Sequence, residues 1–185
     1  MLSGRYPGSP YYHCHVPSQI LIRPAVPADY DSVARITRDS YLAAGYFESA
    51  EHPYMRQIQQ VDARAAKATV WVAERAGKVI GSVTLAVAGE PFADIALEDE
   101  LEFRMLVVDP AVQRSGAGKA MVEAILDYAG SLDGIRGVSL TTGMTWESAH
   151  GLYKKTGFQR VTERDWLVPG TDIKLLVYRR DLPAT

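Results

Sequence analysis

One segment, residues 106–119, limits the possible folds more than any other part of the chain. It opens with three apolar residues that predict a buried strand, Asp109-Pro110 stops that strand, and a polar turn with two glycines leads into a helical stripe. The first N–H groups of a helix have no partner within it, and the helix dipole places partial positive charge there. Glycine lets the backbone approach an anion closely. This order therefore predicts a phosphate-binding loop in an α/β fold.

The spacing of the glycines distinguishes three kinds of phosphate loop. A P-loop needs a glycine five residues before its Gly-Lys pair and Ser or Thr after it, but Gln113 and Ala120 stand there. A dinucleotide-binding turn needs a third glycine, where Met121 stands. The third pattern, Gln/Arg-x-x-Gly-x-Gly/Ala after a strand ending in Val-x-Pro, is met in full by Gln113-Arg114-Ser115-Gly116-Ala117-Gly118. A helix start that uses glycine only for packing is the alternative explanation.

The rest of the pattern mixes strands and helices. Strands are predicted at residues 20–23, 69–73, 79–87, 101–108, 138–141, 158–162 and 173–179. Helices are predicted between Asp29 and Gly45, over residues 54–68, along the apolar stripe that begins at Met121, and over residues 146–156. This order predicts an α/β fold in which helices flank a mixed central β-sheet.

The length of 185 residues predicts one domain with a core that needs neither disulfides nor metal. Prolines, glycines and the absence of periodicity over residues 1–19 predict a flexible tail, and residues 20–182 form the predicted domain. His13-Cys14-His15 lies in that tail. Alternate residues of one extended segment cannot enclose a metal, and no second cluster completes a ligand set, so no metal is expected.

Charge and cysteine content narrow the possible partners and location. A net charge of -2 gives no general attraction to nucleic acid or to an anionic membrane. No apolar run reaches the roughly 20 residues of a membrane-spanning helix. A single cysteine, Cys14, excludes an internal disulfide and fits a reducing compartment. The sequence therefore predicts a cytoplasmic protein that binds neither nucleic acid nor membrane.

A second signature follows about thirty residues after the turn. The chain reads Trp146-Glu147-Ser148-Ala149-His150-Gly151-Leu152-Tyr153-Lys154-Lys155-Thr156-Gly157-Phe158. With the turn, this segment resembles the GNAT superfamily of N-acetyltransferases, whose pattern is Asn-x-x-Ala-x-x-Leu-Tyr-x-Lys-x-Gly-Phe. Trp146 replaces the asparagine, so the usual asparagine contact to the cofactor is not implied. The resemblance covers residues 20–180 and implies a GNAT-like fold with a splayed cofactor cleft.

The resemblance also implies the site residues. The acetyl-CoA (coenzyme A) donor would lie against the backbone of Leu106, Val107 and Val108, and its pyrophosphate would lie on the turn formed by Gln113, Arg114, Ser115, Gly116, Ala117, Gly118 and Lys119. Tyr153 corresponds to a tyrosine that protonates the leaving thiolate, and its alternative role is that of a core aromatic. Glu102 is the candidate general base, with a solvated glutamate or a water chain as the alternative. His150 is a weaker candidate base, more simply read as a surface histidine.

These residues predict an enzyme that transfers an acetyl group from acetyl-CoA to a primary amine of a small molecule, peptide or protein through a ternary complex. The alternative is a non-catalytic acyl-CoA-binding sensor, because fold and cofactor site do not fix function. A homodimer is implied by family habit alone. The acidic residues between Glu90 and Glu102 would favour a cationic amine, although such runs are more often solvated faces.

Overall fold

The computed structural model describes residues 19–169 and 172–183, and the predicted tail lies almost wholly outside them. The described strands are β1 (Leu21–Pro24), β2 (Thr69–Arg75), β3 (Lys78–Val87), β4 (Glu100–Val108), β5 (Gly137–Gly143), β6 (Gln159–Arg160), β7 (Trp166–Leu167) and β8 (Lys174–Asp181). The α-helices are α1 (Tyr30–Ala43), α2 (Pro53–Ile58), α3 (Val61–Ala65), α4 (Ala117–Gly130) and α5 (Glu147–Lys155). Within the described residues, no helix combines the length and apolarity needed to cross a membrane.

The strands form one sheet in the order β1-β2-β3-β4-β5-β8-β6, and β7 pairs with β8. The pairing of β4 with β5 is parallel, while the other pairs are antiparallel. The predicted mixed α/β sheet is therefore confirmed. A parallel pair needs a crossover connection, and α4 supplies it between β4 and β5.

Helices cover the two faces of the sheet, and each face has its own core. We call the side packed against α1, α2 and α3 the front face; its buried residues are Val33, Ile36, Tyr41, Met55, Ile58, Val61, Val72, Met105 and Val107. We call the side packed against α4 the back face; its core includes Val83, Leu85, Leu101, Phe103, Met121, Val122 and Ile125. The helical stripe predicted from Met121 onward is the buried side of α4.

A β-bulge interrupts β4 in the middle of the sheet. The register between β3 and β4 shifts between Ser82 and Thr84, so one residue of β3 lies opposite both Met105 and Leu106. Met105 has a φ of 52°, in the left-handed region that a residue with a branched or long side chain rarely adopts. The extra residue changes the direction of the strand and the order in which its side chains alternate.

At the bulge, the odd-numbered residues of β4 change from one face of the sheet to the other. Before it, Leu101 and Phe103 belong to the back core. After it, Met105 and Val107 belong to the front core. In an uninterrupted strand all four side chains would share one face, because side chains alternate with a period of two.

The same region of the sheet opens between β4 and β5. These strands pair from Glu100 and Gly137 as far as Phe103 and Leu140. Beyond that point, among the residues that the structure describes, β4 pairs only with β3, whereas β5 continues to Gly143 beside β8. We call the opening between residues 104–108 and residues 141–143 the gap. It confirms the splayed cleft that the sequence resemblance implied.

Two predicted elements differ from the structure. The helix predicted over residues 54–68 is divided into α2 and α3, because Gln60 leaves the helical region with a ψ of 74°. The strand predicted over residues 158–162 shortens to Gln159–Arg160, and a 3₁₀ turn at Thr162–Arg164 leads to the unpredicted strand β7. In both places polar residues interrupt the apolar pattern on which the prediction depended.

Asp165 anchors this C-terminal region. Its carboxylate accepts hydrogen bonds from Nη1 and Nη2 of Arg160, both at 2.8 Å, and from the backbone N–H of Val177 at 3.0 Å. The guanidinium of Arg160 is the main cause that lowers the pKa of Asp165 to about 2. A depression of this size corresponds to roughly 2 kcal/mol of stability, which is present near neutral pH and is lost as pH falls from about 4 towards 2.

We therefore expect Asp165→Asn to lower the free energy of unfolding by roughly 1–2 kcal/mol at pH 7, because it removes the charge but retains an acceptor. The difference from the wild type should shrink as pH falls below about 4, where the wild-type carboxyl also becomes protonated. Urea denaturation across this pH range measures both effects. Asp127→Asn, at an exposed position of α4, is the control. An equal loss at every pH would contradict the ionic role of Asp165.

Candidate functional site

The glycine turn places an uncapped helix N-terminus at the surface. Gly116 is the N-cap residue of α4, has a φ of 87° and provides no side chain to bond the first N–H groups. A Cβ added at Gly116 would meet nothing within 4 Å, so packing does not explain this glycine. Its left-handed conformation favours glycine, and the open space above it leaves the helix N-terminus accessible to an anion.

Ser115 and Gly118, which lie on either side of Gly116 in the turn, have different surroundings. The Ser115 hydroxyl is buried and has no hydrogen-bond partner among the described residues. A Cβ added at Gly118 would lie 3.2 Å from Cδ2 of Leu152 and 3.8 Å from Cγ2 of Val108. Gly118 thus serves close packing between β4, α4 and α5, whereas Gly116 and Ser115 fit a bound anion. Ala117, between the two glycines, is buried in the back core.

Three further predicted turn residues are exposed: Gln113, Arg114 and Lys119. Arg114 has a φ of 62° and makes no ion pair within the described residues, so its guanidinium is available to an anion. Lys119 pairs with Glu123 at 2.5 Å, one helical turn further along α4. This exposed pair contributes little to stability, so it leaves Lys119 able to exchange partners.

β4 borders the gap with Leu106, Val107 and Val108. Leu106 and Val108 pack against the back core and Val107 is buried in the front core. The backbone of these residues pairs with β3 on one side only. On the front side, the carbonyl of Val108 accepts a hydrogen bond from the Ser40 hydroxyl at 2.9 Å. The sheet therefore presents an unpaired strand edge towards the gap, beside the glycine turn.

Tyr153 lies on α5 and is 6% exposed. Its ring packs edge-to-face on Phe103 with centroids 5.8 Å apart, beside the last paired residues of β4 and β5. Burial raises the pKa of Tyr153, and Tyr46 raises it further. Its hydroxyl makes no hydrogen bond within the described residues. The structure thus places the ring of Tyr153 beside the point where β4 and β5 separate, and its raised pKa keeps the hydroxyl protonated at neutral pH.

Glu102 is fully buried on the front face. Its Oε2 accepts hydrogen bonds from the backbone N–H groups of Ile95 at 2.8 Å and Ala96 at 3.0 Å, whereas Oε1 has no partner among the described residues. Burial raises the pKa of Glu102 despite these bonds and the nearby guanidinium of Arg104. Glu102 is therefore not a solvated strand-end glutamate, and one of its oxygens is free to accept a proton.

Two carboxylates of the acidic run, Glu100 and Asp94, are paired with arginines rather than free. Glu100 accepts hydrogen bonds from Arg164 and Arg179, each at 2.7 Å. Burial is the largest influence and acts to raise the pKa of Glu100, but the hydrogen bonds from Arg164 and from the Leu97 N–H, together with the charge of Arg164, bring the pKa below its usual value. Asp94 pairs with Arg104 at 2.5 Å. These carboxylates fix the loop between β3 and β4 to the sheet.

His150 serves the packing of α5. One ring nitrogen lies 2.9 Å from the Tyr178 hydroxyl and the other 3.0 Å from the carbonyl oxygen of Gly143. Both nitrogens are thus engaged in contacts between α5, β5 and β8. His150 is neither the surface histidine that the sequence suggested nor a free base.

Trp146 forms an aromatic contact that the sequence did not predict. Its ring stacks on Tyr46 with centroids 3.7 Å apart and lies edge-on to Tyr41 at 6.1 Å. A Cβ added at Gly143 would lie 2.6 Å from this ring, so only glycine fits beneath it at the end of β5. Where the family pattern has a polar asparagine, this chain joins α5 to the segment after α1 through stacked rings.

A cavity of about 450 Å³ lies on the front face between α2, α3 and the loop that precedes β4. Its lining includes Arg64, Arg104 and Met105. Arg64 was missed by the sequence analysis, although the sequence contained a signal: it continues the three-residue spacing of Met55, Ile58 and Val61. A charged residue at the next position of a buried stripe needs a specific partner or function.

No group of residues able to hold a metal is found in the described part of the chain.

A mixed sheet that opens between β4 and β5, followed by a glycine turn at the start of α4, is the architecture of the acetyltransferase class to which the sequence resemblance pointed. Residues 31–158 match the family described as Acetyltransferase (GNAT) family, and the chain belongs to that family. An acetyltransferase of the GNAT family from Staphylococcus aureus Mu50 superposes with a TM-score of 0.69 at 14% identity, covering 89% of this chain and all of that one. The Salmonella typhimurium protein yncA, solved with its cofactor acetyl-CoA, gives 0.64 at 19% identity over 90% and 95%.

Similar proteins of higher identity differ in their named activities. Mouse N-acetyltransferase family 8 member 3 is 34% identical over 60% of this chain and 48% of its own length. Zebrafish (Danio rerio) N-acetylaspartate synthetase is 30% identical over 68% and 42%. Mycothiol acetyltransferase from Cellulomonas flavigena is 30% identical over 83% and 43%. The chain thus spans about half the length of these relatives or less.

Proposed function

We propose that this protein transfers an acetyl group from acetyl-CoA to a primary amine of a small molecule or peptide, with donor and acceptor bound together. The observation that carries the proposal is the open, uncapped N-terminus of α4 at Gly116, directly beside the unpaired edge of β4. The family match and the cofactor of the Salmonella neighbour support the same assignment. The overall reaction forms a C–N bond, breaks a C–S bond and moves one proton from the amine towards the departing sulfur.

The donor would be held by backbone groups more than by side chains. The N–H groups that open α4, with Ser115 and Arg114, provide donors for its pyrophosphate. The edge of β4 at Leu106, Val107 and Val108 would bind the pantetheine arm as an added strand. A backbone N–H of the same stretch would polarise the acetyl carbonyl. When bound, acetyl-CoA supplies an activated thioester.

We expect Gly116→Asp to weaken acetyl-CoA binding at least tenfold, because its side chain enters the open space above the helix N-terminus and its charge repels phosphate. Isothermal titration calorimetry measures the change. Gly134→Asp is the matched control: Gly134 has a φ of 81° and no neighbour within 4 Å of an added Cβ, but follows the opposite end of α4. It carries the same backbone strain without the anion site. Equal affinity in the two variants would overturn the donor-site assignment.

Tyr153 would stabilise the departing sulfur. Its raised pKa keeps the hydroxyl protonated at neutral pH, so it is always ready to donate. A thiol has a pKa near 8.5, well below that of the buried tyrosine, so complete transfer of the proton is uphill. A hydrogen bond from the hydroxyl to the sulfur as the C–S bond breaks would therefore provide most of the stabilisation, with solvent completing the protonation.

We predict that Tyr153→Phe lowers turnover roughly 10- to 1,000-fold, the range for losing one general acid or one charge-stabilising donor. Acetyl-CoA affinity should stay within about threefold, because the ring and its packing on Phe103 are retained. Steady-state kinetics and calorimetry separate the two quantities. Tyr128→Phe on α4 is the control for loss of a tyrosine hydroxyl. Parallel losses of affinity and turnover would instead indicate a packing residue, and full activity would refute the donor role.

Glu102 would accept the amine proton at its unpartnered Oε1 through a chain of water molecules, because this oxygen is buried. An alkylamine with a pKa near 10.4 is only about one part in a thousand neutral at pH 7.4, a deficit of roughly 4 kcal/mol. A buried carboxylate with a raised pKa is a stronger base than an exposed one, which offsets part of that deficit. The other oxygen, held by two backbone N–H groups, fixes the orientation of the carboxylate.

We predict that Glu102→Gln lowers kcat roughly 100-fold or more at neutral pH, with a loss that shrinks as pH rises and free amine becomes abundant. Glutamine retains an acceptor for the loop N–H groups, so unfolding should change much less than activity. The pH dependence of kcat for the wild type and the variant tests this. Glu98→Gln, at an exposed position of the same loop, is the control. A uniform loss at every pH would assign Glu102 to loop anchoring alone.

A sensor that binds acyl-CoA without catalysis is the competing function. The buried Tyr153 and the buried Glu102, whose Oε1 has no partner among the described residues, favour catalysis because neither is needed to hold the donor. Release of free thiol from acetyl-CoA in the presence of a panel of amines distinguishes the two functions. Donor binding without thiol release for any amine would support the sensor.

A further inference from the structure

Arg64 is a buried cation that has no carboxylate partner among the residues that the structure describes. The residue is 2% exposed, and its Nε and Nη2 make no hydrogen bond within the described residues. Within the described residues, the guanidinium makes a hydrogen bond from Nη1 to Sδ of Met105 at 2.9 Å, and a thioether is a weak acceptor. Burial lowers the pKa of Arg64, as expected for a cation removed from water without a partner. A buried guanidinium usually has a carboxylate or phosphate partner.

The cavity that Arg64 lines carries an excess of positive charge. Lys67 and Arg104 also line it, whereas Asp94 is its acidic residue and already pairs with Arg104. Three cations and one carboxylate leave the lining with two uncompensated positive charges. Tyr54 and Phe92 supply aromatic surface to the same cavity. A wall of this composition attracts an anionic group and repels a ligand that is only cationic.

The cavity adjoins the part of β4 where we expect chemistry. Met105, the bulge residue, both lines the cavity and accepts the hydrogen bond from Arg64. The bulge turns Met105 to the front face, where Arg104 already points. These two consecutive residues of β4 therefore both line the cavity. Glu102, the proposed base, points to the same face two residues earlier in the strand. An anionic group on Arg64 would therefore lie near an amine positioned for acetyl transfer.

We propose that the cavity is the acceptor site and that the acceptor is a small α-amino acid, or a close analogue, whose carboxylate binds Arg64. This inference rests on the proposed function and names its substrate class. A guanidinium binds a carboxylate through two parallel hydrogen bonds, and Arg64 has its Nε and Nη2 donors free to do so. The volume of about 450 Å³ fits a small amino acid rather than a protein segment. The positive charges of Lys67 and Arg104 also attract the carboxylate, but they do not replace the two donors of Arg64 that would bind it.

The test compares acceptors that differ only in the carboxylate. Methionine, methioninamide and 3-(methylthio)propylamine form one set, and phenylalanine, phenylalaninamide and phenethylamine form a second. Thiol release is measured at saturating acetyl-CoA. In at least one set we expect kcat/KM for the amino acid to exceed that for both analogues by at least 30-fold. Amides or decarboxylated amines acetylated as well as the amino acids in both sets would overturn the inference.

Arg64→Met keeps the unbranched apolar stem and removes the charge. We expect it to reduce the preference for carboxylate over carboxamide to within about threefold, mainly by raising KM for the amino acid, with acetyl-CoA affinity unchanged. Arg56→Met, at an exposed position of α2, should leave the preference intact. A purely structural role of Arg64 would lower activity towards all acceptors equally, and an unchanged preference would refute the subsite.

If Arg64→Met does not fold, exposed Lys67→Met should lower the preference roughly three- to tenfold, and no change would count against the subsite.

The proposed function and this inference fail in different ways. Thiol release with amines that lack a carboxylate, but no preference for the amino acids, overturns the acceptor class and leaves the transferase intact. No thiol release with any amine overturns the transferase. In that case calorimetry of methionine and phenylalanine with the wild type and Arg64→Met tests the carboxylate site alone: affinity lost in the variant supports it, and no binding to the wild type refutes it.

Discussion

The bulge at Met105 is the constraint on which the rest of the site depends. One additional residue in β4, held in a left-handed conformation, reverses the alternation of side chains at the middle of the sheet. Phe103 consequently remains in the back core and supports Tyr153, while Arg104 and Met105 both reach the front cavity. The parallel pairing with β5 ends at Phe103, two residues before the bulge. The division of the sheet and the two-sided use of β4 thus arise at the same place.

The two faces of β4 have separate tasks in the proposed reaction. The back face and the edge of the gap provide backbone groups, the helix N-terminus at Gly116 and the hydroxyl of Tyr153, all suited to a phosphorylated thioester. The front face provides Glu102 and Arg64, both buried with unpartnered polar atoms. The stacked rings of Trp146 and Tyr46 join α5 to the segment after α1 across the end of the gap. Donor and acceptor can therefore approach the same strand from opposite sides.

The sequence predicted the fold well because the strand, turn and helix signals that define it are local patterns. Gly116 was identified from its spacing after a strand, and the structure shows the left-handed, open position that such spacing serves. Gly118 also packs closely against Leu152, a contact that the pattern could not indicate because Leu152 lies 34 residues away. Arg64 and the aromatic contact of Trp146 were missed for the same reason. Their environments are set by distant segments, and the break at Gln60 that separates α2 from α3 has no glycine or proline to mark it.

The unpartnered atoms of the front face suggest a common explanation. A carboxylate oxygen without a donor and a guanidinium without an acceptor each cost free energy when buried, and pairing them with each other would have removed both costs. Instead Glu102 is fixed by loop N–H groups and Arg64 by a thioether, and Arg104 lies close enough to influence the pKa values of both. A ligand that carries a carboxylate would provide the acceptor that the guanidinium lacks. The unpartnered Nε and Nη2 of Arg64 therefore fit an acceptor with a carboxylate better than a simple amine, for which the guanidinium would remain unpaired.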